Sequence, residues 1–204
     1  MKKIVLMSAL LAGCSLYAFP ARADFNQHDW QIRVRAIDVS PSVSSSTTNS
    51  GKITADSSVV PEMDISYFFN ENISSELILA TSKHKIGETS PNVNLGSVWV
   101  LPPTLTAQYH FTNSSPFVPY VGAGINYTMF YNASAGSMSS IRYKDNIGYA
   151  LQAGADYKLD EHWMLNLDVK KILLDTHASV SGGAVEANVH LDPWVFGVGM
   201  GYRF

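Results

Sequence analysis

A chain of 204 residues, 46 % hydrophobic and 15 % charged, with a formal net charge of −3 at pH 7, is the size of one domain. Its acidic balance excludes a basic nucleic-acid footprint. No stretch beyond the N-terminal apolar run reaches the length of a transmembrane helix, which leaves a soluble β protein or a transmembrane β-barrel.

Lys2 and Lys3 precede an apolar run, Ile4 to Ala12, too short to cross a bilayer as a helix, and Ala21-Arg22-Ala23 forms an A-x-A cleavage site. The pattern predicts a signal peptide over residues 1–23 and a single mature domain over 24–204. Leu11-Ala12-Gly13-Cys14 also fits a lipobox, but the apolar run continues past Cys14 to Phe19, which favours cleavage after Ala23. Removing 23 of 204 residues leaves 181. Losing Lys2, Lys3 and Arg22 takes the 14 basic residues to 11, against 17 acidic, a net −6. Such a mature chain has no cysteine and needs no disulfide in an oxidising compartment.

Eight alternating segments follow. Trp30 to Val39 puts Trp30, Ile32, Val34 and Ala36 on one face, Gln31, Arg33 and Arg35 on the other, and a Ser/Thr-rich loop runs from Ser40 to Ser58. Val60 to Phe69 directs Met63, Ile65, Tyr67 and Phe69 outward and Glu62, Asp64 and Ser66 inward, before an Asn70-Glu71-Asn72 turn. Ile73 to Lys83 carries Leu77 and Leu79 out, Glu76 and Ile78 in, and a polar loop spans about His84 to Ser97. Leu101 to Phe111 places Thr104, Thr106, Gln108 and His110 inward; a short turn, Thr112 to Pro116, precedes Val118 to Phe130, with Gly122, Gly124, Asn126 and Thr128 inward. After a Ser/Gly loop to Asp145, Asn146 to Leu159 sends Gly148, Ala150, Gln152, Gly154 and Asp156 inward. A turn at Asp160-Glu161-His162 leads to Trp163–Leu173, with Asn166, Asp168 and Lys170 inward. After a last loop, Trp194 to Phe204 alternates without a break: Trp194, Phe196, Val198, Met200, Tyr202 and Phe204 against Val195, Gly197, Gly199, Gly201 and Arg203.

Connections alternate long and short, as in outer-membrane barrels with long extracellular loops and short periplasmic turns. Aromatics gather at both ends, with Trp30, Tyr67, Tyr109, Trp163 and Phe204 on the short-turn side and Trp99, Tyr127 and Trp194 on the other. A soluble sandwich accounts for neither pattern. The expected fold is an all-β, eight-stranded antiparallel transmembrane barrel.

Leu101-Pro-Pro-Thr-Leu-Thr-Ala-Gln-Tyr109, Pro119-Tyr-Val-Gly-Ala-Gly-Ile-Asn-Tyr-Thr128, Leu191-Asp-Pro-Trp-Val-Phe196 and the closing Gly201-Tyr-Arg-Phe204 resemble the OmpW family of small outer-membrane proteins. Glu76-Leu-Ile-Leu-Ala-Thr81 followed by His84-Lys-Ile-Gly87 fits as well. The resemblance spans essentially the whole mature chain. It implies a narrow, largely apolar lumen, passage of small hydrophobic compounds, and a receptor role for colicins in some members. It also implies outer-membrane lipid as the surroundings, and the C-terminal Phe204 on the lipid side resembles the signal read by the barrel-assembly machinery, an expected partner.

An eight-stranded barrel holds its own side chains or one small ligand, so the inward residues are the candidate site. In the periplasmic half Arg33, Glu76, Gln108, His110, Asp156, Asn166, Asp168 and Arg203 are expected to pair into a polar plug, since unpaired charges there are costly. Nearer the outside Ile78, Thr104, Thr106, Gly122, Gly124, Gly148, Ala150, Val195 and Gly197 are expected to line an apolar cup, with room left by the glycines. Lys170 falls on this inner face where the resemblance implies an apolar partner for Ile78; either Asp168 or Glu76 is its counter-charge or its ammonium reaches toward solvent. A cup closed below suggests lateral exit into the bilayer at weakened strand pairing, with Pro102, Pro103 and Pro119 as candidates and Pro193 as a further one; the alternative there is that these prolines merely start strands. The alternative is a closed barrel whose loops bind a bacteriocin, a phage or a host surface. The six histidines lack metal-site spacing and no G-x-S-x-G is present, so neither cofactor, metal site nor catalytic residue is expected.

Overall fold

The computed structural model describes residues 30–204 apart from 47–52, 90–91, 135–140, 144 and 181–184; the expected signal peptide and cleavage sites lie outside the described residues. Among the described residues fourteen strands form one antiparallel sheet: β1 (Trp30–Ser40), β2 (Val43–Ser46), β3 (Ile53–Ala55), β4 (Ser58–Phe68), β5 (Ile73–Ala80), β6 (Ser82–Thr89), β7 (Asn92–Leu101), β8 (Thr104–His110), β9 (Phe117–Ser134), β10 (Ile141–Tyr143), β11 (Asn146–Lys158), β12 (Trp163–Val180), β13 (Val185–Leu191) and β14 (Trp194–Arg203). Eight of them close a ring, β1-β4-β5-β8-β9-β11-β12-β14, and β14 returns to β1 through Gln31–Arg203 to Ser40–Trp194. Closure leaves no sheet edge in the membrane, where water cannot satisfy free backbone groups.

Alternation decides which face each side chain takes. On β8, Thr104, Thr106, Gln108 and His110 are buried while Leu105, Ala107 and Tyr109 are exposed. Outward apolar residues continue around the wall, including Val34, Leu77, Ile125, Leu151, Leu167 and Val198. Aromatic pairs border the band below (Trp30–Tyr67, Tyr109–Phe111, Trp163–Tyr202) and above (Trp99–Tyr131, Trp194–Phe196), at the girdle positions of a bilayer-spanning barrel.

The short turns are built by side-chain caps. Asn70 Oδ1 accepts from the backbone N–H of Asn72 (2.9 Å) and Ile73 (2.8 Å), and Asp160 Oδ1 from those of His162 (2.8 Å) and Trp163 (2.7 Å). The two N–H donors at Asp160 hold its carboxyl below the usual carboxylate range.

Much of what the sequence suggests as long loops is strand. β2 and β3 lie within Ser40–Ser58, β6 and β7 cover most of His84–Ser97, β9 runs to Ser134, and β12 continues to Val180 beside β13. Above the bilayer both faces meet water, so hydrophobic alternation stops while the backbone ladder carries on. The signal used to find strands vanishes before the strands do.

Three strand pairings are interrupted without losing register. The β5–β8 pairing ends at Ile78–Thr104, and β6–β7 resumes at Ser82–Val100. Likewise β12 pairs β14 up to Lys171–Trp194 and β13 from Leu174–Leu191, while β1–β14 ends at Ser40–Trp194 and β2–β13 resumes at Val43–Leu191.

Candidate functional site

Arg33 and Arg35 project from β1 into the barrel, two residues apart and buried. Their register partners on β14 are Gly201 and Gly199, and on β4 Asp64 and Glu62. Gly201 clears space for Arg33, whose Cγ a Cβ there would meet at 3.0 Å. Gly199 also lets the strands approach: a Cβ there would stand 2.1 Å from the Val34 carbonyl oxygen and 2.7 Å from Arg35 Cγ.

Around them the inward side chains join in a single network across the lumen. Arg33 donates to Asp156 (Nη2–Oδ2 2.8 Å) and Glu76 (Nη1–Oε1 3.0 Å). Arg35 pairs with Glu62 (2.9 Å), Glu76 (3.0 Å) and Asp64. Lys170 Nζ reaches Glu62 Oε1 at 2.8 Å and Asp168 Oδ1 at 2.6 Å. Tyr120 OH donates to Asp168 (2.7 Å), Gln152 Nε2 to Glu76 (2.9 Å) and Asp168 (2.8 Å), Gln108 Nε2 to Glu76 (2.7 Å), and Asn166 Nδ2 to Asp156 (2.8 Å). Every one of these side chains is buried. Deleting one member of such a network strands its partner's charge, a cost of about 3–5 kcal/mol.

Below the network, His110 Nε2 lies 3.0 Å from Ser74 Oγ, with its ring between Phe68 and Tyr120. The Arg203 guanidinium stacks 3.7 Å from the Phe68 ring centroid at the periplasmic mouth. Above the network Ile37, Ile78, Thr104 and Val195 are buried on the inner face. Higher still, Val98, Phe130, Ala150, Ile172 and Leu174 pack into one apolar cluster, with Val100 against it. The apolar residues of β12 therefore sit above Lys170, one and two inward steps further out. Among the described residues no group of three or more His, Cys, Asp or Glu is arranged to hold a metal ion. His84 is buried, sharing hydrogen bonds with Ser82 Oγ (2.9 Å) and the Asp56 carbonyl (2.9 Å).

Two expectations need correction. Gly124 and Gly148 do not open a cup: a Cβ at Gly124 would stand 2.0 Å from the Leu105 carbonyl oxygen and one at Gly148 2.4 Å from that of Leu173. These glycines let neighbouring strands approach closely. Gly122 faces Gln152 and Gln108 at 3.1 and 3.2 Å, so its space is already filled. Pro119 opens nothing either. Its register with Ala155 is continuous on both sides, and its carbonyl accepts from Phe111 N at 2.9 Å.

Alternation alone turns Arg35, Glu62, Asp64 and Gln152 inward, but only the inter-strand register shows that they meet Arg33, Glu76 and Asp168. Tyr120 and Phe130 share the inward parity of Gly122 and Gly124, but only the register shows what they meet; Val98 lies outside the segments read from the sequence.

A closed eight-stranded barrel with a lipid-compatible outer face and a buried polar network across its lumen defines an integral outer-membrane β-barrel. Residues 26–204 match the OmpW family, to which this chain belongs. It is 45 % identical to the uncharacterized outer-membrane protein y4mB of Sinorhizobium fredii, over 86 % of this chain and 80 % of that protein. It is 42 % identical to outer membrane protein W of Escherichia coli, over 70 % of this chain and 71 % of the other. The crystal structure of OprG from Pseudomonas aeruginosa superposes with a TM-score of 0.82 at 32 % identity, covering 87 % of this chain and 96 % of that one.

Proposed function

We propose that the barrel takes up small hydrophobic molecules from outside and releases them sideways into the bilayer between β5–β6 and β7–β8. The carrying observation is the interruption of pairing between Ile78–Thr104 and Ser82–Val100. Pro102 and Pro103 offer no amide hydrogen to bridge it. By the alternation of their strands, Ala80 and Pro102 face inward at this gap, and both are small. Val100, which packs against the apolar cluster, forms its upper lip.

Two further features support this reading. The charge network obstructs the straight path to the periplasm, and an apolar molecule would have to displace buried, mutually satisfied charges to pass it. The apolar cluster above gives the same molecule a dry surface level with the gap. PahQ of Pseudomonas aeruginosa, 30 % identical over 69 % of this chain, is by name a dibenzothiophene metabolism operon protein, and dibenzothiophene is an apolar aromatic. In this reading residues 1–23 are an export signal removed from the mature barrel.

The test is a disulfide across the gap, Ala80→Cys with Pro102→Cys, in proteoliposomes loaded from outside with a hydrophobic dye. Oxidation is expected to abolish protein-dependent uptake and reduction to restore it. Uptake indifferent to the cross-link overturns the lateral route.

A further inference from the structure

We infer that Lys83 and Lys85, with Trp99 and Tyr131, form a site on the outer wall for the phosphate of a lipid headgroup in the outer leaflet. On β6 the inward positions Ser82 and His84 are buried, so Lys83 and Lys85 face outward, and both are exposed. Lys83 pairs in register with Trp99, and Trp99 with Tyr131 on β9. The Lys83 ammonium lies 5.8 Å from the Trp99 ring centroid. Trp99 and Tyr131 stack at 6.1 Å, and the Tyr131 hydroxyl is 2.5 Å from Thr81 Oγ1. The Lys83 ammonium, the Thr81–Tyr131 hydroxyl pair and an aromatic platform thus share one patch, with Lys85 two residues further along the same outward face of β6.

Height places this patch at a membrane surface. Trp99 stands ten residues along the strand from Tyr109 of the opposite girdle, about the length of strand that crosses a bilayer. Leu77, Leu79 and Leu105 lie exposed directly below, where acyl chains would run. A ligand with phosphate above and acyl chains beneath meets both halves of this surface, whereas a free anion meets only the upper one.

Charge is complementary as well. Among the described residues neither lysine pairs with a carboxylate. The nearby Asp56 carboxylate accepts from Lys85 backbone N at 2.6 Å. Lys171, over Trp194 at 4.9 Å, is the contrasting case: its ammonium donates to the Asp192 carbonyl at 2.5 Å. Interfacial lysines extend toward anionic headgroups, and each contributes roughly a fewfold in affinity.

The experiment uses the folded mature protein, equilibrated with phosphatidylcholine vesicles doped with phosphatidic acid, with retained lipid counted by native mass spectrometry. Wild type is expected to retain phosphatidic acid over phosphatidylcholine. Lys83→Gln/Lys85→Gln should lower that retention about tenfold, Lys83→Arg/Lys85→Arg should keep it, and Lys171→Gln should leave it within about twofold. Gel mobility before and after boiling confirms that each variant is folded. Equal retention by wild type and the double glutamine variant overturns the proposal. Displacement by inorganic phosphate overturns the lipid assignment in favour of a small-anion site.

Discussion

The two proline-bearing interruptions of the wall differ in how they are closed. At Asp192–Pro193 the neighbouring strands are stitched: Asp192 N donates to the Ser42 carbonyl (3.3 Å), Leu174 N to Asp192 Oδ1 (3.3 Å), Lys171 Nζ to the Asp192 carbonyl (2.5 Å) and Ile172 N to the Pro193 carbonyl (3.2 Å). At Pro102–Pro103 the stitching is one-sided. Tyr127 N donates to the Pro103 carbonyl (3.0 Å) and Asn126 Nδ2 to that of Pro102 (3.2 Å), both from β9. Toward β5 the register simply lapses over residues 79–81. A proline removes a donor but does not open a wall by itself; the wall stays shut where an adjacent side chain and backbone supply the missing bonds.

The largest effect that would break this contrast is a matched pair of cross-links. Ala80→Cys with Pro102→Cys should abolish hydrophobic dye uptake on oxidation, whereas Ser42→Cys with Asp192→Cys, bridging the stitched interruption, should leave it unchanged. Equal inhibition by both would mean that neither interruption is special.

The obstruction below the gap comes next. Glu76 accepts from Arg33, Arg35, Gln108 and Gln152, so Glu76→Ala should destabilise the barrel by about 3–5 kcal/mol, read by urea unfolding in lipid vesicles. Gly124→Val sharpens the comparison from the intact side of the wall. Its side chain would meet the backbone of β8, so it should lower stability by about 1–3 kcal/mol and fold less efficiently, without the selective block that filling an open cup would produce.

Asp192→Ala removes the carboxylate that accepts from Leu174 N and should cost about 1 kcal/mol. It leaves the Asp192 carbonyl in place, so uptake should rise only if the side chain is what keeps this interruption shut. The smallest effect belongs to the turn at Asp160. Its folded carboxyl titrates below its unfolded value, so its contribution is present above pH about 4 and is lost as pH falls through the folded value. The stability difference between wild type and Asp160→Asn should shrink on acidification, and a difference that grows would contradict the capping role.

Much is legible in the sequence. The eight crossings and the inward placement of Arg33, Glu76, Gln108, Asp156, Asp168 and Lys170 follow from period-two alternation, and the orientation follows from the alternation of long and short connections. Lys170 was the conspicuous misfit in a lumen expected to be apolar, and its resolution, ion pairs to Glu62 and Asp168, needed an acid from β4 that lies 108 residues away. The glycines were misread as space because a sequence does not show what stands opposite a missing Cβ. The strand extensions were misread as loops because their side chains no longer sort into wet and dry faces.

The local rule belongs to the chain alone: successive side chains of a strand point to opposite sides, so the order of residues determines what meets lipid and what meets the lumen. Which lumenal groups touch is a property of closure. Arg33 meets Asp156 across 123 residues because eight tilted strands lock at one stagger, and that stagger also decides where two prolines leave the ladder unbridged.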